Sequence, residues 1–99
     1  MSPNDVAPRA QATGRFTIVN ALGLHARAAT KLVQLASKFP CDVEVARDDQ
    51  TANAKSVMGV LLLCGSRGTV VEVRATGERA EECVAAIGEL IASKFGEPN

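Results

Sequence analysis

The stretch TVVEVRAT, residues 69–76, is the clearest strand pattern in the chain. Val71, Val73 and Ala75 alternate with Glu72 and Arg74, so the apolar side chains share one face and the charged ones the other. This alternation predicts a β-strand in a sheet with one buried face. Such a sheet needs a hydrophobic layer on that face, and amphipathic helices are the usual cover.

Two longer segments have the apolar spacing of helices that would cover this face. One spans residues 28–39 and ends before Pro40, because proline disfavours helical geometry at the residue that precedes it. The other spans residues 78–95 and carries its apolar stripe on Ala80, Cys83, Val84, Ile87, Leu90 and Ile91. Gly88 lies inside this helix at a cost of roughly 1 kcal/mol relative to alanine, so we expect a close packing contact there.

Shorter segments complete the predicted order of strands and helices. Residues 15–20 and 41–47 alternate as strands, and the small polar residues 50–54 predict an edge strand. Residues 56–63 form a short predicted helix, which Ser56 caps and Gly65 ends. Residues 1–14 lack apolar periodicity, so we expect a flexible leader before a single domain at residues 15–97. The resulting order is βαββαβα, which indicates an α+β fold.

Composition excludes several classes of function. The 99 residues are 46% hydrophobic, have zero formal net charge and contain neither Tyr nor Trp, which disfavours nucleic-acid binding. No apolar run approaches a membrane span, and we expect a cytoplasmic protein without a secretion signal. Cys41, Cys64 and Cys83 form no Cys-x-x-Cys pair, so we interpret them as buried small apolar residues in a reducing cytoplasm rather than as metal ligands. No metal or other cofactor is expected.

The segment GLHARAA, residues 23–29, is the candidate functional site. It holds the only histidine of the chain, His25, where a loop gives way to the first long helix. Imidazole is a competent nucleophile near neutral pH, and a helix start favours anions through its unpaired N–H groups. Arg27 adds a side chain suited to phosphate oxygens. The segment therefore indicates a site where phosphate is bound by an imidazole; the alternative is a surface histidine beside a helix cap.

The same segment resembles the active-site signature of the HPr family, the phosphocarrier proteins of the bacterial phosphoenolpyruvate-dependent sugar phosphotransferase system. That signature is Gly-hydrophobic-His-small-Arg followed by Pro or Ala. A second stretch, residues 55–63, resembles the regulatory serine segment of the family, and the similarity extends from residue 16 to residue 97. Ala28 departs from the proline of many members, which loosens the first turn but removes no reactive group.

The resemblance implies an open-faced sandwich, in which a four-stranded antiparallel sheet has three helices on one face. It implies that His25 receives a phosphoryl group on Nδ1 from enzyme I and passes it to A-type permease components. The backbone N–H groups of Ala26 and Arg27 would then cradle the phosphate, while the Arg27 side chain orients it and balances its charge. No second catalytic group is apparent, so we expect a carrier rather than an independent enzyme, and a monomer by default.

The resemblance also implies phosphorylation of Ser56 by an HPr kinase/phosphorylase, which would slow phosphorylation of the histidine. The helix that follows Ser56 is too apolar to bury every side, and we expect Met58 and Leu61 to be exposed and to dock partners. The alternative is that all of these side chains are core or are merely tolerated by solvent.

Two other functions stay open. One is the nitrogen-related branch of the same family, which feeds regulators rather than sugar uptake. The other is a regulatory binding module that is switched by phosphorylation at His25 or Ser56.

Overall fold

The computed structural model describes residues 10–99. Its elements follow the predicted order and end with a short 3₁₀ turn: β1 Gln11–Thr17, α1 Ala26–Ala36, β2 Asp42–Arg47, β3 Gln50–Asn53, α2 Val57–Leu62, β4 Val70–Thr76, α3 Ala80–Ala92 and the turn Lys94–Gly96. The predicted α+β fold with four strands and three helices is confirmed.

The four strands form one antiparallel sheet in the order β1-β4-β2-β3. The central strand β4 places Val73 opposite Gly14 of β1 on one side and opposite Val45 of β2 on the other. β3 pairs with β2 alone and lies at the edge, as its small polar residues predict. Sheet order therefore brings the first and last strands of the chain together.

The core lies between this sheet and the helices. The alternating residues of β4 behave as predicted, because Val71, Val73 and Ala75 are buried while Arg74 faces solvent. On the open face, Arg74 bonds the carboxylates of Glu72 and Glu44. The buried side chains of the helices that complete the core include Ala28, Ala29, Leu32, Ala36, Val60, Ala80, Cys83, Ile87 and Ile91.

The first strand differs from the prediction at both ends. It begins at Gln11 rather than residue 15, so residues 11–14 belong to the sheet and not to the predicted leader. The strand pairs with β4 along its whole length, and backbone pairing needs no apolar pattern of its own. Ile18 is fully buried beyond the strand end, where its N–H donates to Thr69 O at 2.8 Å. The rest of the predicted leader, residues 1–9, lies outside the described residues.

Two glycines that the sequence singles out have different outcomes. The close contact expected at Gly88 is confirmed, because α3 lies there against the ring of Phe16. Gly65, expected to end α2, is not the residue with left-handed backbone: Cys64 is, with φ 52°. Gly65 is needed instead for space, since a β-carbon there would lie 2.8 Å from Leu24 Cδ1.

Candidate functional site

His25 occupies the N-cap of α1. Its backbone is extended, with φ −74° and ψ 177°, and its carbonyl accepts a hydrogen bond from Ala29 N at 2.8 Å. Its ring takes the place of the usual capping oxygen, because Nδ1 accepts a hydrogen bond from the Arg27 backbone N–H at 3.2 Å. The ring atom nearer the backbone therefore faces the positive end of the helix.

The other ring nitrogen of His25 contacts a carboxylate. Nε2 lies 2.5 Å from Glu97 Oε2, and the two side chains are 24% and 8% exposed. Because Nδ1 accepts a hydrogen bond and Nε2 meets a carboxylate, the hydrogen-bond pattern assigns the ring proton to Nε2. Nδ1 then keeps an unshared electron pair at the helix start.

Glu97 is itself held by a buried amide. Asn20 is fully buried, and its Nδ2 group donates to Glu97 Oε1 at 3.0 Å and to Gly23 O at 2.8 Å. The hydrogen bond from Asn20, followed by the one from His25, lowers the pKa of the Glu97 carboxyl. The carboxylate is thus kept ionised beside the ring.

The segment directly before Glu97 has an unusual, left-handed backbone conformation. Lys94, Phe95 and Gly96 have φ values of 61°, 56° and 76°, and the left-handed region costs about 1–2 kcal/mol for each residue that is not glycine. Burial of the Phe95 ring and a 2.6 Å hydrogen bond from Lys31 Nζ to Phe95 O hold this turn. We call residues 94–99 the C-terminal strap.

Gly23 fixes the loop in front of His25. Its φ is 66°, and a β-carbon there would lie 2.4 Å from Gly65 O. The next residue, Leu24, donates its N–H to the same oxygen at 2.8 Å. The loop before α1 therefore packs against the loop after α2, and only glycine can occupy position 23 at this distance.

Of the predicted phosphate-binding groups, the Arg27 backbone N–H contacts Nδ1. The Arg27 N–H points at the ring, and the Ala26 N–H has no hydrogen-bond partner among residues 10–99. The Arg27 side chain is exposed, and within the same residues it forms neither a hydrogen bond nor an ion pair. Both the backbone and the guanidinium are thus available to an anion bound at Nδ1.

Ser56 is the N-cap of α2, as predicted. Its Oγ accepts a hydrogen bond from Gly59 N at 3.1 Å, and the residue is partly exposed. A phosphate on this oxygen would meet the N-terminal end of the helix, where negative charge is favourable. Whether Ser56 is modified stays a prediction.

The apolar residues exposed on α2 are only partly those predicted. Met58 is 68% exposed, as expected, but Leu61 is partly buried and packs against the core. Leu62 is 71% exposed instead, because it lies one helical turn after Met58 on the same face. Leu22, in the loop before His25, is also exposed.

Sequence reasoning missed Glu97 and Asn20. Glu97 lies at the end of the similarity to the HPr family, and no motif in the sequence gives it a role. The contact between Glu97 and His25 spans 72 positions, and no local pattern indicates a pair so far apart. For Asn20 the available signal was a polar side chain in an apolar run directly before the site.

Comparison with known proteins identifies the family of this chain. The family described as the PTS HPr component phosphorylation site matches residues 12–93. A phosphocarrier protein HPr of Xylella fastidiosa (strain Temecula1) is 47% identical over 82 residues, which cover 83% of this chain and 92% of the relative.

The chain belongs to the HPr family of phosphocarrier proteins.

Solved structures of the HPr family share the fold. HPr-C-His from Thermoanaerobacter tengcongensis superposes with a TM-score of 0.86 at 44% identity, covering 89% of this chain and 99% of the other. A structure described as an HPr dimer from the same organism has a TM-score of 0.70 at 49% identity and covers 76% and 86% of the two chains. HPr proteins therefore include a dimer, and the monomer expected here stays a prediction.

Residues 10–99 offer neither a membrane-spanning helix nor a cluster of metal ligands. No helix in this part of the chain is long and apolar enough to cross a membrane. These residues also contain no group of three or more His, Cys, Asp or Glu side chains placed to hold a metal ion.

Proposed function

We propose that His25 accepts a phosphoryl group on Nδ1 from phosphorylated enzyme I and passes it to A-type components of the phosphotransferase system. The observation that carries this proposal is the placement of Nδ1 at a helix N-terminus, where it accepts a hydrogen bond from the Arg27 N–H. The chain would act in the cytoplasm.

The transfer chemistry follows from that placement. The electron pair of Nδ1 attacks the phosphorus of the donor, and the donor P–N bond breaks with its electrons returning to the donor nitrogen. The Arg27 N–H is then released from the ring to donate to a phosphoryl oxygen, and the N–H of Ala26 is placed to do the same. Positioning and charge stabilisation of this kind account for most phosphoryl-transfer catalysis.

Partners supply the rest of each active site in this proposal. The exposed Arg27 guanidinium balances the charge of the phosphoryl group as it moves between proteins. Leu22 in the loop before His25 and Met58 and Leu62 on α2 have exposed apolar side chains, and we assign Met58 and Leu62 to docking in place of Leu61.

Phosphate transfer from labelled phosphoenolpyruvate in the presence of enzyme I tests the proposal. Wild type is expected to gain acid-labile, base-stable label. His25→Asn is the matched control, because asparagine is a good N-cap but provides no nucleophilic ring. His25→Ala serves as a second control. Absence of label on folded wild-type protein with its cognate enzyme I would exclude the carrier function.

A regulatory binding role is the second candidate, in which phosphorylation at Ser56 or His25 switches partner binding. The observation that favours it is the partly exposed Ser56 at the start of the helix that carries Met58. An HPr kinase/phosphorylase would supply the phosphate at Ser56. If Ser56→Ala or Met58→Glu removes the cellular effect while His25→Ala preserves it, binding rather than transfer is the function.

A further inference from the structure

An unusual backbone conformation and several buried contacts bring Glu97 to His25. The strap adopts three consecutive left-handed residues, buries Phe95, and binds Lys31 Nζ through the Phe95 carbonyl. The buried Asn20 then fixes the second oxygen of the Glu97 carboxylate. Strained backbone that surrounding contacts hold in place is concentrated at functional sites.

We propose that Glu97 is a positioning residue for phosphoryl transfer: its carboxylate holds the Nε2 proton of His25, leaves Nδ1 free to attack, and compensates the charge that the ring gains. This inference rests on the proposed function of His25. The carboxylate acts through the ring and does not contact the phosphoryl group.

The geometry keeps the ring still during the reaction. Glu97 holds the ring of His25 at Nε2, at 2.5 Å. Nδ1 therefore gives up its longer 3.2 Å hydrogen bond from the Arg27 N–H and bonds to phosphorus while the ring keeps its orientation. Pre-set orientation of this kind is a major part of enzymatic rate enhancement.

The Glu97 carboxylate also compensates the charge that the His25 ring gains. Bonding of Nδ1 to phosphorus consumes its electron pair, while the proton stays on Nε2, so the ring becomes cationic. The donor nitrogen takes the electron pair of the broken P–N bond, and no proton leaves His25. A carboxylate beside Nε2 neutralises the new positive charge, as the aspartate of a Ser-His-Asp triad does for its imidazolium.

The test compares the full-length wild type with Glu97→Gln, which keeps the shape and an acceptor oxygen but removes the charge. Glu97→Asp restores the charge with a shorter reach. Glu89→Gln removes an exposed carboxylate of α3 and is the matched control. Each protein is phosphorylated by phosphoramidate, a small P–N donor, and separately by phosphorylated enzyme I, and the rate of phosphohistidine formation is measured.

With phosphoramidate, Glu97→Gln is expected to react about tenfold more slowly than wild type, a typical loss when the group that orients an active imidazole is changed. Glu97→Asp should recover part of the rate, and Glu89→Gln should match wild type. In NMR spectra, a slowly exchanging, downfield Nε2–H proton of His25 should be present in wild type and lost in Glu97→Ala. If the signal persists in folded Glu97→Ala, the carboxylate does not hold the Nε2 proton and the inference is overturned.

Equal phosphoramidate rates for Glu97→Gln and Glu89→Gln would overturn the inference and leave the proposed function intact. A loss seen only with enzyme I would also overturn it, because it assigns Glu97 to docking. If neither donor phosphorylates wild type, the proposed function itself fails.

Discussion

Gly88 of α3 faces the ring of Phe16 in β1 with no room for a side chain. A β-carbon at residue 88 would lie 2.4 Å from Phe16 Cε1, and one at Gly14 would lie 2.6 Å from Phe16 Cζ. The ring is thus enclosed by two glycines, one from the sheet and one from the helix. This contact seats the last helix on the first strand.

Gly88→Ala is therefore expected to destabilise the protein although alanine favours helices. Overpacking costs about 1–3 kcal/mol, and the gain in helix propensity returns about 1 kcal/mol. A contact of 2.4 Å puts the cost at the upper end of its range, so the free energy of unfolding, measured in urea, should fall by about 1–2 kcal/mol. Phe16→Leu in the same chain should make Gly88→Ala less harmful than it is alone. An unchanged or higher stability of the single variant would contradict the packing described.

Gly23 and Gly68 provide a matched pair. Both have positive φ, 66° and 90°, but a β-carbon at Gly68 meets nothing within 4 Å, whereas one at Gly23 meets Gly65 O. Gly68→Ala should cost about 1–2 kcal/mol from backbone strain alone. Gly23→Ala should cost more in the same denaturation experiment and should slow phosphorylation of His25. Equal losses in the two variants would show that the loop contact is unimportant.

Ser56→Ala removes the hydrogen bond from Gly59 N to the capping oxygen. Loss of an N-cap costs about 1 kcal/mol, and thermal unfolding should record this loss. Ser56→Asp is the informative control, because aspartate also caps helices and its charge suits the helix dipole. It should keep the stability of wild type. A similar loss in both variants would contradict the capping role.

Cys83 should make stability sensitive to alkaline pH. Burial, with a hydrogen bond to Cys41, raises the pKa of the Cys83 thiol from 9.0 to about 12. Between these values the folded protein keeps a proton that the unfolded chain loses, so the free energy of unfolding falls as pH rises from 9 to about 12. Cys83→Ala should weaken this fall. Cys64 is exposed, although the sequence predicts a buried residue, so Cys64→Ala should leave this fall unchanged.

Glu97 should contribute to stability on the acid side. Its carboxyl has a lowered pKa in the folded protein, chiefly because Asn20 donates to it. The contribution is present above the unfolded pKa of about 4.5 and is lost as pH falls through the lower folded value. Glu97→Gln should therefore show a flatter loss of stability below pH 4.5 than wild type in guanidinium unfolding curves. Parallel curves would mean that the contact with Asn20 contributes nothing.

Periodicity predicted the element order because burial and spacing are local properties. The apolar alternation of β4 and the helical stripe of α3 depend only on neighbouring residues, and both appear as expected. Ser56 was likewise recognisable as a cap from the residues that follow it. His25 stood out because it is the only histidine and lies at a helix start.

The remaining features depend on contacts between distant parts of the chain. Gln11 joins the sheet because Thr76 is opposite it, and nothing near Gln11 indicates that partner. Leu61 and Leu62 are chemically identical neighbours, and only the direction in which α2 packs decides which one is exposed. The contact of Glu97 with His25 depends on left-handed backbone at Lys94 and Phe95, a conformation that these residue types rarely adopt. It could therefore not be predicted from the sequence.

The sequence distance between His25 and Glu97 also orders events during synthesis. A ribosome makes the histidine, and the helix that it caps, well before it makes the strap. A growing chain therefore carries an imidazole with a free Nε2 edge until residue 97 has emerged and folded back. The carboxylate that contacts Nε2 is made 72 positions after the imidazole, so the contact between them forms only after most of the domain has been synthesised.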